Sequence, residues 1–585
     1  MKKNDNISSN KKTIEFVIKN NVSSILVISG NKYRKYSIEN RDYYVLFSEY
    51  EKIKVRLVKS ISKTVSEMAL DLQMNIERGI FAIVDPNTTV VGCGLLDSTI
   101  FYRVTSYQLL ISDSGKNIAD YCKLSLSYSA ISLHLIPSLP YFPFQSIPLW
   151  EGLKIVQPFC IMNIENRNKI VEKRIWYPQA YSDDISSAIS FIRKKLIEIC
   201  SLNKMPSINF NLSSDLSGGI DSATIAYILK KNNLDTKLFH IFSNSKFNTD
   251  TVWAKKIVND LEVPLNLFSS SSFLKRRFSI NKKYFDNQFS DFPILWAETE
   301  GYIEKICKYK SHYDKSIHFL GIGGDELFTP MPAYAWSIVN HRHHKSIWFI
   351  LRYAMYSKRS FIKNIFNLLK HNDYTSELRL KLDQAFGITN KKRKNHDLEW
   401  TGEISVPGWL DRRVLSSSYE LAIKVINSSC VNLDEDRSKH QSLESILFQK
   451  RVLSQINLLY GNDNFKFISP FLDSHIVESA LTVPVNFHIN KGITKPILQK
   501  VTNGIVPIDV FTRGFKGDYS NELYQGYELS SKDMMRDINS LKLVEMGIVD
   551  PDKLLVELSM PTALHGRIEN FERLVCVERW IRTLM

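Results

Sequence analysis

Residues 213–229 read SSDLSGGIDSATIAYIL, with two adjacent glycines set between serines and carboxylates where one hydrophobic pattern gives way to another. Before the glycines, INFNL (208–212) has the look of a strand; after them Ile225, Ile228 and Leu229 recur at helical spacing. A strand that turns through Ser217-Gly218-Gly219 into a helix offers unhindered backbone N–H groups at a helix N-terminus, where the partial positive charge favours a phosphate. Asp221 stands in the same turn, and a carboxylate beside a phosphate is repelled unless a cation lies between them. The order S-G-G-I-D-S is not the G-x-x-x-x-G-K-[ST] of a P-loop, which is absent from the chain.

The alternation of strands and helices continues downstream. KLFHIFS, VPLNLF and IHFLGIGGDELF supply three more strands, and TDTVWAKKIVNDL places Trp253, Ile257, Val258 and Leu261 at helical spacing. A further helix is expected near 295–309. Strands separated by helices predict a doubly wound parallel sheet, whose ligands sit beyond the carboxyl ends of the strands. Two glycine turns, 217–222 and 321–325, fall at such ends and are expected to face one cleft, with Asp325 as a second carboxylate for Mg²⁺. That combination points to pyrophosphate held with its metal, and so to ATP cleaved between its α and β phosphates. From about residue 330 the pattern turns mostly helical.

Upstream, short runs such as ILVISG, YYVLF, IFAIVD, TTVVGCG and YQLLISD predict a β-rich first part. The proline-spaced stretch LIPSLPYFPFQSIPLWEG (135–152) breaks the strand pattern, and the boundary is expected near RIWYPQAYSDD. The expected division is residues 1–170 and 171–585. A chain of 585 residues with 44% hydrophobic and 23% charged residues is long enough for two or three domains and too apolar for disorder. No apolar run is long enough to span a bilayer and no secretory signal is read at the start, so a cytoplasmic protein is expected, without membrane or nucleic-acid partners.

Lys and Arg outnumber Asp and Glu by 76 to 61, a net charge of +15, concentrated in part in KRR at 275–277 and KKRK at 391–394. Few aromatics are interleaved with these runs, which reads as a solvated basic surface rather than a nucleic-acid groove. HRHH at 341–344 has no carboxylate or cysteine at ligand spacing, so it is not read as a metal site. The seven cysteines (Cys93, Cys122, Cys160, Cys200, Cys307, Cys430, Cys576) form no C-x-x-C pair and are expected to be reduced and buried.

With these motifs in place, the chain resembles the asparagine-synthetase-like ATP-pyrophosphatase enzymes, and within them the lasso-peptide cyclases, which are macrolactam synthetases. DLSGGIDS is similar to the family's pyrophosphate loop and GIGGDELF to its second nucleotide and metal motif. FISPFLDSHIVESALTVP (467–484) resembles the family's R-V-P-F-L-D segment, and TKPILQKVTNGIVPIDVFTRGFKGDYS (494–520) the stretch carrying its catalytic lysine. LVEMGIVDPDKLLVEL, the closing VERWIRTL and the AYAWSIVNHRHHKS insertion resemble lasso cyclases in particular. The resemblance implies ATP and Mg²⁺ as cofactors and Lys516, assisted by Lys495, as the catalytic cations. It implies nucleotide contacts from Leu216, Ser217, Gly218, Gly219, Asp221, Ser222, Phe242, Ser243, Gly321 and Gly323, and metal contacts from Asp221 and Asp325.

Departures from the relatives sharpen these expectations. Glutamine-using asparagine synthetases resemble one another in an exposed N-terminal cysteine, where this chain has Lys2 and no cysteine before Cys93. The first part is therefore expected to be a degenerate glutaminase-type (Ntn-like) β-rich sandwich. Three residues before Asp325, asparagine synthetases carry Glu and β-lactam synthetases a catalytic Tyr; here the residue is Ile322. The implied reaction adenylates an Asp or Glu side chain of a peptide and joins it to the peptide's own N-terminal amine, with a leader-cleaving protease as partner. A small-molecule amide ligase of the same superfamily, a tRNA-modifying enzyme and a non-catalytic scaffold are the alternatives. The glutaminase-like part and SPFLD speak against the tRNA reading, and retention of Asp221 and Asp325 against the scaffold.

Overall fold

The computed structural model describes residues 14–19, 24–29, 33–38 and 41–46, then 64–584 except 77–78, 86–87, 98–99, 107, 166–168, 202–209, 233, 246–247, 281–288, 311–314, 342–367, 369–371, 390–397, 430–431, 463, 515–516 and 561–564. The chain forms two compact units, Met1–Ser127 with Ser146–Tyr177, and Tyr128–Gln145 with Pro178–Met585.

The first unit is built on two sheets. Its elements are β1 (Ile14–Lys19), β2 (Ser24–Ser29), β3 (Tyr33–Ile38), β4 (Arg41–Leu46), α1 (Val65–Asn75), β5 (Ile80–Asp85), β6 (Thr88–Cys93), β7 (Phe101–Val104), β8 (Leu109–Ser112), α2 (Gly115–Cys122), β9 (Lys154–Ile155), β10 (Cys160–Glu165) and β11 (Lys169–Arg174). One sheet runs β1-β2-β8-β7-β9 and the other β11-β10-β6-β5-β4-β3. Alternation along β5 shows how both faces are used. Ile80, Ala82 and Val84 join Val27, Ile111 and Met162 in a core shared by the two sheets, while Phe81 and Ile83 pack with Met68 and Leu72 of α1. A capping box starts α1, with Glu67 N–H donating to Thr64 Oγ1 (3.3 Å) and Thr64 N–H to Glu67 Oε2 (2.8 Å). Cys93 is buried in the shared core, its thiol donating to Asp97 O at 3.4 Å.

The second unit carries a five-stranded sheet, all parallel. Its elements include α3 (Tyr128–His134), α4 (Ile185–Ser201), β12 (Phe210–Asp215), α5 (Ile220–Lys231), β13 (Thr236–Phe242), α6 (Asp250–Leu261), β14 (Leu265–Ser269), α7 (Ala297–Lys310), β15 (Lys315–Phe319), α8 (Gly324–Phe328), α9 (Arg437–Tyr460), β16 (Phe465–Ile468), α10 (Ser474–Leu481), α11 (Pro496–Val501), α12 (Ser520–Asp537) and α13 (His565–Arg582). The strand order is β14-β13-β12-β15-β16. The chain winds outward from β12 to β14, then returns to the other side of β12 for β15 and β16. The order thus reverses between β12 and β15, which is where an open α/β sheet opens a crevice for ligands.

Two expectations need correction. A single cut at residue 170 does not describe the chain, because Tyr128–Gln145 belongs to the second unit. Polar contacts tie it there: Ser129 Oγ to Ser417 Oγ (2.9 Å), Tyr374 O–H to Phe142 O (2.6 Å) and Phe142 N–H to Glu444 Oε1 (3.2 Å). The cysteines are not uniformly buried either. Among the described residues no cysteine forms a disulfide; Cys93, Cys200 and Cys576 are buried and Cys122, Cys160 and Cys307 partly exposed, while Cys430 lies outside the described residues. Among the described residues, no helix is long and apolar enough to cross a membrane.

Candidate active site

The first glycine turn leaves β12 at Asp215. Leu216 is pinned by its backbone: its N–H donates to Phe239 O (2.8 Å) and its carbonyl lies 2.8 Å from His240 Nδ1. A carbonyl only accepts, so Nδ1 carries the proton, and Nε2 accepts the Thr251 hydroxyl at 2.9 Å. Burial lowers the His240 pKa and holds the ring neutral. Beyond Leu216, Ser222 Oγ lies 3.0 Å from both Ser217 N and Ser217 Oγ, which closes the loop on itself. Gly218 adopts φ +85°, and a Cβ there would lie 2.4 Å from Asp250 O. Gly219 caps α5 without a side-chain hydrogen bond, so the partial positive charge of this twelve-residue helix faces the loop.

The second turn follows β15 and lies against the first. A Cβ on Gly324 would lie 2.4 Å from Asp221 Cγ, and one on Gly321 3.1 Å from Ser222 N. Gly323, at φ +92°, packs on Leu472. The Ile322 carbonyl accepts Ser469 Oγ at 2.5 Å, which ties this turn to the segment after β16.

Asp221 and Asp325 meet on Lys495. Its Nζ lies 2.6 Å from both carboxylate oxygens of Asp221 and 2.7 Å from Asp325 Oδ1. The lysine side chain is 4% exposed and that of Asp221 16%, whereas Asp325 is 57% exposed and opens the cluster to solvent. Lys495 sits at φ 54°, ψ 58°, left-handed geometry that costs a non-glycine residue on the order of 1–3 kcal/mol. The following Pro496 begins α11, and a residue before proline is normally extended. Lys123 and Glu262 share this geometry but are helix C-caps, where it is ordinary; Lys495 leads into a helix instead.

Arg513 and residues 517–522 bond to the first glycine turn and to the segments that follow β13 and β14. The Arg513 guanidinium donates to Gly218 O and to Asp250 Oδ1, which also accepts Gly517 N–H at 2.9 Å. Asn248 Nδ2 donates to Asp518 O (3.2 Å), and the Tyr519 hydroxyl to Ile241 O (3.1 Å). Phe242 is half-buried at the end of β13. The Ser243 hydroxyl, just beyond it, donates to Glu522 Oε1, which also accepts Ser270 Oγ at 3.0 Å. Lys516 lies outside the described residues; its neighbours Arg513 and Gly517 are both fastened to Asp250.

Beneath the first turn lies a polar network that sequence reasoning missed. His318 lies 2.7 Å from Ser213 Oγ through Nδ1 and 2.8 Å from Asp215 Oδ1 through Nε2, and the Tyr302 hydroxyl donates to the same carboxylate. Its composition matches a nucleophilic triad, yet Ser213 and His318 are fully buried within the sheet. Without access to a substrate the serine is no nucleophile, and the network serves to hold Asp215 and the loop that follows. His341 of the histidine-rich run pairs with Asp436 at 2.7 Å; its neighbours 342–344 lie outside the described residues.

Among the described residues, no group of three or more His, Cys, Asp or Glu gathers as a metal cage. Asp221 and Asp325 nevertheless fit Mg²⁺, which takes one or two carboxylates from a protein when phosphates and water complete its shell. Two carboxylates already share a cation here, the Lys495 ammonium.

Comparison with known proteins gives the asparagine synthase family, whose model matches residues 209–582. No curated protein matches the chain. Among solved structures, NMN synthetase from Francisella tularensis is similar at 16% identity, over 45% of this chain and 95% of that one, with a TM-score of 0.19.

Proposed function

Since the chain belongs to the asparagine synthase family of ATP-dependent amide ligases, we propose that it forms AMP and closes a macrolactam in a peptide, as lasso-peptide cyclases do. A side-chain carboxylate of the peptide attacks the α-phosphorus of ATP, the bond to the β-phosphate breaks and pyrophosphate leaves. The peptide's N-terminal amine then attacks the acyl-adenylate carbonyl, an amide C–N bond forms and AMP departs. The observation that carries this reading is the meeting of Asp221, Asp325 and Lys495 beside the Ser217–Ser222 loop at the sheet's switch point.

Asp221 and Asp325 would hold Mg²⁺, which neutralises charge on the pyrophosphate as it leaves. The loop N–H groups and the α5 N-terminus receive phosphate oxygens; Leu216, Gly321 and Gly323 shape the floor. Lys495 and Lys516, the latter next in sequence to Gly517, supply cationic charge toward the phosphates. Phe242 and Ser243, where β13 ends, border the adenine. Ile322 supports a chemistry distinct from those relatives that carry Glu or Tyr at this position. The two-sheet first unit with helices α1 and α2 supports a degenerate glutaminase-type domain acting as scaffold. A cytoplasmic setting and a leader-cleaving protease partner complete the proposal.

The test is mass spectrometry of a leader-free precursor peptide incubated with the protein, Mg²⁺ and ATP. A product lighter by one water and lacking a free N-terminal amine is expected. An unchanged peptide, with a small amino acid amidated in its place, would support a small-molecule ligase.

A further inference from the structure

We infer that Lys495 is a resident counter-cation of the acidic pair, which keeps divalent metal out of the site until a nucleotide arrives. The inference rests on the proposed ATP site but concerns a step before any chemistry. Three observations carry it. The ammonium occupies the point on which Asp221 and Asp325 converge, within 2.6–2.7 Å of three carboxylate oxygens. It is almost wholly buried, so it cannot yield the position by turning into water. Its backbone is held in left-handed geometry, with Thr494 N–H donating to Phe511 O (2.8 Å) just before it and α11 beginning just after.

The physical consequence is competition. A divalent ion entering alone from the solvent side at Asp325 must displace or crowd a buried ammonium that already bonds both carboxylates, and like charges that close repel. A nucleotide changes the balance, because its phosphates give the ammonium a second set of anionic partners while the metal arrives already bound to them. Metal and nucleotide therefore enter together, and until they do Lys495 holds the acidic pair. Lys495 thus acts as a positioning residue before the reaction, in addition to any charge it supplies during it.

The probe is Mn²⁺ without nucleotide, followed by electron paramagnetic resonance and by melting temperature. Wild-type protein is expected to show no rise in melting temperature in millimolar Mn²⁺. Lys495→Met is expected to bind Mn²⁺ at least tenfold more tightly than wild type and to be restabilised by it. Lys495→Arg, which keeps the charge, is expected to behave as wild type, and Lys495→Met with Asp221→Asn to lose the gain. Lys495→Gln carries the same comparison should the Met variant fold poorly. Tight nucleotide-free Mn²⁺ binding by wild type overturns the inference, as does a neutral variant that binds no better. None of these readouts needs turnover, so a wild-type protein that makes no AMP would defeat the ligase reading and leave this result standing.

Discussion

The carboxylate of Asp250 and the guanidinium of Arg513 form an ion pair almost entirely out of water, with their side chains 4% and 6% exposed. Arg513 also donates to Gly218 O, and Asp250 accepts Gly517 N–H, so one pair joins the Ser217–Ser222 loop, the start of α6 and Gly517. Removing one partner strands a buried charge. Asp250→Ala is expected to lose about 3–5 kcal/mol of stability, measured by urea unfolding. Displacement of the loop is expected to slow AMP formation about 100-fold. A stable variant with normal rate would show that the pair is ornamental.

The contact between the two glycine turns is tested by a single methyl group. Gly324→Ala places a Cβ 2.4 Å from Asp221 Cγ, whereas Gly408 has nothing within 4 Å. Gly324→Ala should abolish AMP formation with the fold intact by circular dichroism, and Gly408→Ala should match wild type. Equal activity in both would mean that Asp221 need not keep its position.

Asp221 and Asp325 should separate stability from catalysis. Asp221→Asn deprives a buried ammonium of its closest partner and is expected to lower the melting temperature, while Asp325→Asn, at an exposed residue, is expected to leave it nearly unchanged. Both should stop AMP formation. A melting temperature more sensitive to residue 325 would invert the assignment. In the same assay, Lys516→Met is expected to lower kcat about 100- to 1000-fold, the usual worth of one well-placed donor.

Acid should destabilise the fold through histidines held neutral, His240 buried and His488 half-buried. Burial pushes His488 down to about 4 and also lowers His240, while an unfolded histidine titrates near 6.5. Above pH 6.5 both states are neutral and nothing is lost. As pH falls from 6.5 toward 4 the unfolded chain takes up protons that the folded chain refuses, so stability declines. Unfolding midpoints at pH 7.5, 6 and 5 should fall more steeply for wild type than for His488→Gln. Parallel slopes would remove His488 from this account.

What could be read from the chain, and what could not, follows from where the partners lie. Both glycine turns, the parallel sheet and the carboxylates at 221 and 325 were legible because each depends on neighbours within a few residues. His240, Asp250 and the Ser213–His318–Asp215 network were not, since their partners come from other strands and helices and leave no local pattern. The edge strand β16 was missed because a long helical region separates it from β15 and it spans only Phe465–Ile468. In the first unit, VSEMALDLQMN stands between strand-like runs, and its helix shows only when Met68 and Leu72 find the sheet. The resemblance implies only an assisting role for Lys495, whereas its burial and its contacts with Asp221 and Asp325 depend on residues far away in the chain.

The central claim is adenylation of a carboxylate, and the most direct measurement follows an oxygen atom. A leader-free precursor peptide with its side-chain carboxylate labelled with oxygen-18 is incubated with the protein, Mg²⁺ and ATP, and the nucleotide products are weighed by mass spectrometry. Attack of that carboxylate on the α-phosphorus leaves one labelled oxygen on AMP when the amine displaces it, so AMP carrying one heavy oxygen is the result predicted. ADP with labelled inorganic phosphate, or AMP without label, would contradict the account.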